Sequence, residues 1–303
     1  KGKNLLYTFC PENNIAYKKI PKLFIAQNKD DYQNLIEIQK KAKLNGLTNT
    51  QILGEKEVLS IEPQVSCYAA LLSPSSGVFD SQNFMHVLYQ KCTSSDVTIA
   101  FRSPFEDAVI RKNFIDVKIG GDDPIQLKTK YVVNSAGLGA INVSKKILRE
   151  NVLPKPNYLK GIYARYHGKL NLNHIIYPSF SPGIISERVD TTPDINGSLR
   201  FGPSVERSLK FNDFSIPDNL VSRFFHQLKS YLKDIDEAKI LPDYVAYRPK
   251  IIFQGNTNPD FIFHWDQNKL WLDLWGMESP ALTASLAIGE YVENQFRLIN
   301  KND

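Results

Sequence analysis

The chain has 303 residues, 42% of them hydrophobic, and 37 Lys and Arg against 32 Asp and Glu for a formal net charge of +5. This composition excludes disorder as the default and is sufficient for a large core. Three scattered cysteines, Cys10, Cys67 and Cys92, exclude a disulfide framework or a cysteine metal cluster and point to a reducing, cytoplasmic setting.

No apolar run reaches the roughly 18 residues a membrane span needs and no signal-peptide pattern opens the chain, so any membrane contact is expected to be peripheral. The lysines are dispersed, as at Lys18-Lys19, without a basic block interleaved with aromatics. That pattern argues against nucleic-acid binding, while a mild positive field favours an anionic substrate or a dinucleotide.

In chain order, KGKNLLYTFCPENN reads as a helix with Leu5, Leu6 and Phe9 toward a core and no capping residue before it. KLFIAQ reads as a buried strand, Asp30 to Gly46 as an amphipathic helix ended by glycine, and Glu55 to Pro63 as a short helix stopped by proline. The turn-rich SPSSGVFD then feeds a helix with Ser81 as its N-cap.

VTIAF, DAVIRK, FIDVKIG and KYVVNSAG read as four strands, the last delivering small residues at its carboxyl end as a ligand-binding parallel strand does. From Pro154 to Lys250 the pattern is an antiparallel sheet carrying one helix, NLVSRFFHQLKSYL, with turns at Pro182-Gly183, Asn196-Gly197 and Gly202-Pro203. FIFHW and KLWLDLWG return the chain to a final helix, GMESPALTASLAIGEYV. Gly276 permits a special backbone conformation there, Ser279 and Pro280 start the helix, and Leu282, Leu286, Ile288 and Tyr291-Val292 are expected to dock it. Free amides at such a start favour an anionic or electron-rich ligand.

EPQVSCYAALLSPSSGVFDSQNF, VVNSAGLGA, YLKGIYARYHG, LRFGPSVE, YRPKI and GMESPALTASLAI, in this order and spacing, resemble the flavin-dependent oxidoreductases of the D-amino-acid oxidase superfamily. Within it the chain looks most like the L-2-hydroxyglutarate dehydrogenase or oxidase family. The resemblance implies an α/β fold, a Rossmann-like FAD-binding domain interleaved with an antiparallel-sheet α+β substrate domain. It also implies FAD as cofactor and oxidation of an L-2-hydroxy acid to the 2-oxo acid by hydride transfer to the flavin.

Carried onto this sequence, the resemblance implies that Ser135, Ala136 and Gly137 line the diphosphate or ribose side of FAD and that Phe105 contacts its adenine half. Gly276, Met277, Glu278, Ser279, Pro280, Ala281, Leu282 and Thr283 would flank the flavin ring. Arg248 would hold a substrate carboxylate with its planar fork, and Lys160 and Tyr163 would lie near the substrate. Asp80 and Glu278 stand in turn contexts where capping or hydrogen bonding is the expected role.

Two departures stand out. The G-x-G-x-x-G turn that cradles a dinucleotide pyrophosphate does not occur, so its first βαβ unit is expected to be missing. The expected readings are a truncated or split product completed by a separate N-terminal fragment, or a non-catalytic remnant of the same fold. In SERVDTTPDING, Val189-Asp190 stands where the 2-hydroxyglutarate enzymes tend to have Val-His, and Ala281 replaces a usual glycine. An amine- or glycerophosphate-oxidising relative therefore stays open. The expected division is a cofactor part at 64–153 and 251–303 and a substrate part at 1–63 and 154–250. A quinone or oxygen would serve as electron acceptor.

Overall fold

A computed structural model of the chain describes residues 1–148, 152–179, 189–208 and 210–301. The Pro182-Gly183 turn and the Ser186 to Arg188 part of SERVDTTPDING lie outside the described residues.

The largest element is an eight-stranded mixed sheet ordered Ile240–Arg248, Tyr158–Tyr166, Leu199–Ser208, Thr191–Pro193, Ile175–Pro178, Lys22–Ala26, Ala69–Ser73, Gln51–Gly54. All its pairings are antiparallel except that of Ile175–Pro178 with Lys22–Ala26. Ala69–Ser73, on the cofactor side of a boundary at residue 64, pairs with Lys22–Ala26 and Gln51–Gly54 on the substrate side.

Alternation along the strands sends every second side chain to each face. One face carries Leu23, Ile25, Ile162, Ala164, Ile176 and Phe201 and packs on the helix Leu220–Lys229. That helix presents Leu220, Phe224 and Leu228 at four-residue spacing, so all three fall on one stripe and are fully buried. With each large apolar side chain contributing about 1.5–3 kcal/mol on burial, this face is committed to the core. Polar chemistry is left to the opposite face.

At its Gln51–Gly54 end the opposite face is covered by the helix Lys29–Leu44, whose Leu35 packs with Phe24, Ala69 and Leu71. Asn28 caps this helix, its side chain accepting from the Asp31 amide at 2.9 Å. Toward Ile240–Arg248 no helix covers that face among the described residues, and the loop before the final helix reaches it instead.

A second sheet is ordered Ile262–Trp265, Trp271–Trp275, Val132–Asn134, with the last two strands parallel. Trp271–Trp275 is buried throughout, and Val132–Asn134 forms one edge, with Val133 exposed. A three-stranded antiparallel meander, Phe105–Ile110, Ile115–Ile119 and Ile125–Thr129, precedes that edge strand. No helix among the described residues is long and apolar enough to cross a membrane.

Several expectations are corrected. VTIAF is not a strand: Val97, Ile99 and Phe101 are exposed, and the Val97 amide donates to Cys92 O to close the preceding helix. β-propensity needs a partner strand and a surface to pack on, and this run has neither. IQLKT supplies the third meander strand instead. The helix Ser81–Thr93 is capped by Asp80, whose carboxylate accepts from the Asn83 amide at 2.9 Å, with Ser81 its first helical residue.

In the first helix, Gly2–Glu12, the fully buried positions are Gly2, Leu6 and Cys10, while Leu5 is half-buried. The final helix, Ala281–Lys301, has no fully buried residue, and Leu282 and Tyr291 are exposed. Its docking combines Leu286, which packs with Leu6, Cys10 and Phe84, ring contacts of Tyr291 with Phe263 and of Phe296 with Tyr131 and Trp265, and a close crossing at which Gly2 meets the Thr283-Ala284 backbone. A Cβ at Gly2 would fall 2.6 Å from Ala284 Cα, so only glycine permits the approach.

Candidate functional site

The loop 276–280 follows the buried strand Trp271–Trp275 and opens with Gly276 at φ +69, the left-handed region that glycine enters without penalty. The Ala281 amide donates to Glu278 O at 2.6 Å and the Ala284 amide to Pro280 O at 3.1 Å. Ser279 and Pro280 are therefore exposed turn residues, and the helix starts one residue later than Ser279-Pro280 suggests. Beside it, the parallel strand Val132–Asn134 releases Ser135, Ala136 and Gly137, all exposed, with Gly137 at φ +56. Two loops thus leave adjacent parallel strands at their carboxyl ends, the position where open α/β sheets hold ligands.

A buried polar network fixes these strand ends. The Asp273 carboxylate, fully buried, accepts at 2.6 Å from Asn134 Nδ2 and at 2.6 Å from the Ser144 hydroxyl through its Oδ1. Trp275 Nε1 donates to Ser144 Oγ at 2.9 Å, and Asn134 Nδ2 also reaches Ala140 O at 2.9 Å. Hydrogen bonds converging on Asp273 Oδ1 hold the two loops at one spacing, while its Oδ2 has no hydrogen-bond partner and lies 3.6 Å from His264 Nδ1. Sequence reasoning missed these residues, although a lone carboxylate in the otherwise apolar WLDLW was a readable signal.

Glu278 points from the loop to the end of the strand Ile240–Arg248. Its Oε1 lies 3.0 Å from Lys250 Nζ, and its Oε2 lies 4.0 Å from Arg248 Nη1. Oε2 is buried and lacks a hydrogen-bond partner. Two cations thus share one carboxylate, and Arg248 keeps donor capacity for another anion.

Arg248 and Tyr163 share a face of the large sheet; Lys160 does not. Arg248 is opposite Leu159 and Tyr247 opposite Lys160, so neighbouring pairs alternate between faces. Lys160, almost wholly buried, donates to Asp213 Oδ2 at 2.8 Å, while Tyr247 OH donates to Asp213 O at 2.6 Å. The Asp213 carboxyl is held far below the usual carboxylate range, chiefly by that Lys160 hydrogen bond and by Ser215.

Tyr163 lies opposite bulges in both neighbouring strands, at Asp243-Tyr244 and Gly202-Pro203, and stacks on Tyr244, ring centres 4.5 Å apart and planes 14° from parallel. Burial pushes both phenols above their ordinary value; for Tyr163, Tyr244 and Asp190 add to the rise, while Arg248 and Arg200 oppose it. Arg200 lies over the Tyr244 ring at 5.2 Å and pairs with Asp243 at 3.3 Å, and Arg165 reaches the same carboxylate at 3.4 Å. Asp190 is buried, and its carbonyl accepts from the Gly202 amide. Arg200, Tyr244 and Asp190 were not among the residues singled out from the sequence as binding ones.

Farther along the same face, Thr192 sits opposite Arg200 and lines a cavity of about 400 Å³. Lys3, Tyr7, Lys22, Ser75 and Thr283 also line it, so the cavity runs from the sheet to the first turn of the final helix. Lys3 Nζ donates to Ser75 Oγ at 2.7 Å. Phe105 lies apart, at the start of the meander, its ring 5.8 Å from that of Trp271.

These residues fit the ring end of a flavin. Two loops and a helix start meet at the strand ends, Gly137 leaves open space where a Cβ would stand, and Glu278 Oε2 is an orphaned buried acceptor 4.0 Å from Arg248. No strand-to-helix glycine turn able to cradle a pyrophosphate occurs among the described residues.

The pattern of the family DAO, FAD dependent oxidoreductase, matches residues 1–295. L-2-hydroxyglutarate dehydrogenase of Arabidopsis thaliana is 28% identical, the match covering 98% of this chain and 70% of that protein. Glycerol 3-phosphate dehydrogenase of Caloramator mitchellensis is 23% identical over 99% of this chain and 61% of its own length. Among solved structures, L-alpha-glycerophosphate oxidase from Mycoplasma pneumoniae with FAD bound superposes with a TM-score of 0.83 at 22% identity, covering 99% of this chain and 78% of that one. The chain belongs to the DAO family of FAD-dependent oxidoreductases.

Proposed function

We propose that the chain oxidises an L-2-hydroxy acid of the 2-hydroxyglutarate kind to the corresponding 2-oxo acid. The observation that carries this reading is the meeting of Arg248 with the Glu278 loop, which sets a carboxylate-binding fork beside the crevice at the strand ends. FAD, when bound, supplies the acceptor for the hydride leaving the substrate carbon. Arg248 binds the substrate carboxylate through two parallel hydrogen bonds, and Lys250 holds Glu278 so that the fork stays available. Tyr163, kept protonated by its raised pKa, donates a hydrogen bond to a substrate oxygen. Asp190, on the same face, holds the proton released from the hydroxyl at its carboxylate.

In this reading a glycine-rich strand and helix on a separate segment complete the pyrophosphate end of FAD by adding to the edge of Val132–Asn134. Exposed Val133 and the absence of a fully buried residue along Ala281–Lys301 support that placement. A second reading, oxidation of a glycerophosphate, is favoured by Asp190 standing where a histidine is expected, and by the Caloramator relative. Steady-state kinetics of Arg248→Ala separates them. The 2-hydroxy-acid reading expects KM for that acid to rise by about 30-fold or more, the worth of a charged hydrogen-bonded pair. An unchanged KM removes Arg248 from the site.

A further inference from the structure

The outer face of the large sheet carries two places where cations outnumber the carboxylate they share. At one, Arg248 and Lys250 close on Glu278. At the other, Arg165 and Arg200 close on Asp243. Two positive charges against one negative leave each place with a net charge of about +1 and a preference for one further anion. The stacked pair Tyr163 and Tyr244 lies between them. Arg248 and Tyr244 are four residues apart on one strand, about 13 Å at the usual rise of about 3.3 Å per residue. Arg200 rests on the Tyr244 ring, and the Tyr163 phenol is within electrostatic reach of both Arg200 and Arg248.

We infer that Arg200 is a second anion anchor that selects a 2-hydroxy dicarboxylate: Arg248 takes the carboxylate beside the hydroxyl, and Arg200 takes the distal one across the tyrosine pair. This rests on the 2-hydroxy-acid reading of the site. Arg200 is suited to the task because its planar guanidinium is held on two sides, by the Tyr244 ring and by Asp243 at its Nε edge. With one donor given to the Tyr244 phenol, the guanidinium is already oriented and its remaining donors lose less entropy on binding. With 39% of the Arg200 side chain exposed, ligand has access to it. Thr192, directly opposite Arg200, opens this end of the face to the cavity that reaches Thr283. Asp243, only 18% exposed, is the shared brace and not a ligand contact.

The test compares two acids with the same five-carbon chain, L-2-hydroxyglutarate and L-2-hydroxypentanoate, which lacks the distal carboxylate. Anaerobic flavin reduction in the FAD-loaded protein, followed over a range of acid concentrations, gives the apparent Kd of each acid for wild type, Arg200→Gln, Arg200→Lys and Arg248→Gln. Wild type is expected to prefer the dicarboxylate by about tenfold or more, the worth of one charged hydrogen bond. Arg200→Gln should erase that preference by weakening the dicarboxylate alone, with the monocarboxylate within about twofold. Arg200→Lys, which keeps the charge, should retain part of it, and Arg248→Gln should weaken both acids. A preference that survives in Arg200→Gln, or an equal loss for both acids there, overturns the second anchor while leaving the underlying reading intact. Failure of wild type to bind either acid overturns the reading and the anchor with it.

Discussion

Glu278 and Lys250 form an ion pair of 3.0 Å that ties the loop before the final helix to the end of the strand carrying Arg248. Residues about 28 positions apart in sequence are thereby coupled, and the carboxylate is prevented from collapsing fully onto Arg248, which stays 4.0 Å away. Lys250→Gln should let Glu278 close on Arg248 and compete with substrate. The expected outcome is a rise of about tenfold in KM for a 2-hydroxy acid with kcat within about twofold, checked by steady-state kinetics. A fall in kcat at constant KM would place Lys250 elsewhere in the chemistry.

The Asp273 carboxylate holds Asn134 and Ser144 with two hydrogen bonds of 2.6 Å in a fully buried setting. Asp273→Leu leaves those donors without an acceptor and should cost about 3 kcal/mol in urea unfolding. A loss below about 0.5 kcal/mol would show that the network does not fix the strand ends.

Gly276 adopts φ +69, and a Cβ there would approach Ile251 Cδ1 to 3.1 Å. Gly276→Ala should destabilise by about 1–2 kcal/mol from backbone strain and weaken FAD binding by displacing the loop. Thermal unfolding and a fluorescence titration with FAD check the two effects separately.

Asp213 has its pKa lowered by Lys160 and Ser215. A carboxyl lowered in the folded state adds stability that is fully present above its unfolded value, about 3.9, and is lost as pH falls through the folded value. Melting temperatures taken from pH 6 downward should therefore drop less steeply below about pH 4 in Asp213→Asn than in wild type. Parallel curves would contradict the pairing with Lys160.

Burial, with a smaller contribution from Glu55, pushes the Cys67 thiol up to about 11. In the native protein near neutral pH, a thiol reagent should therefore label Cys92, which is partly exposed, and spare Cys67 and Cys10 until the chain unfolds. Mass spectrometry of the labelled peptides reads the order directly.

The sequence carried the local features of this site well and the non-local ones poorly. Gly276 and the helix start after it were readable because left-handed backbone and an N-terminal proline depend on a few adjacent residues. Lys160 and Tyr163 were expected together near the substrate, yet three residues along a strand place two side chains on opposite faces, and Lys160 pairs with Asp213 on the other face. The clustering of Arg200, Tyr244 and Arg248 was not readable, because it depends on the register of three strands and on the bulges opposite Tyr163. Propensity misled at VTIAF, where β-type residues found no partner strand, and at Ala281–Lys301, whose apolar stripe is only partly covered.

Substrate bound by the Arg248 face is expected to deliver electrons to a flavin at the Glu278 loop. Anaerobic mixing of the FAD-loaded protein with L-2-hydroxyglutarate, followed at the flavin band near about 450 nm, tests it most directly. L-2-hydroxyglutarate is expected to bleach that band, and Arg248→Ala to slow the bleaching by about tenfold or more at subsaturating substrate. A flavin band that L-2-hydroxyglutarate leaves unchanged while glycerol 3-phosphate bleaches it would rule out a 2-hydroxy acid as the substrate of this face.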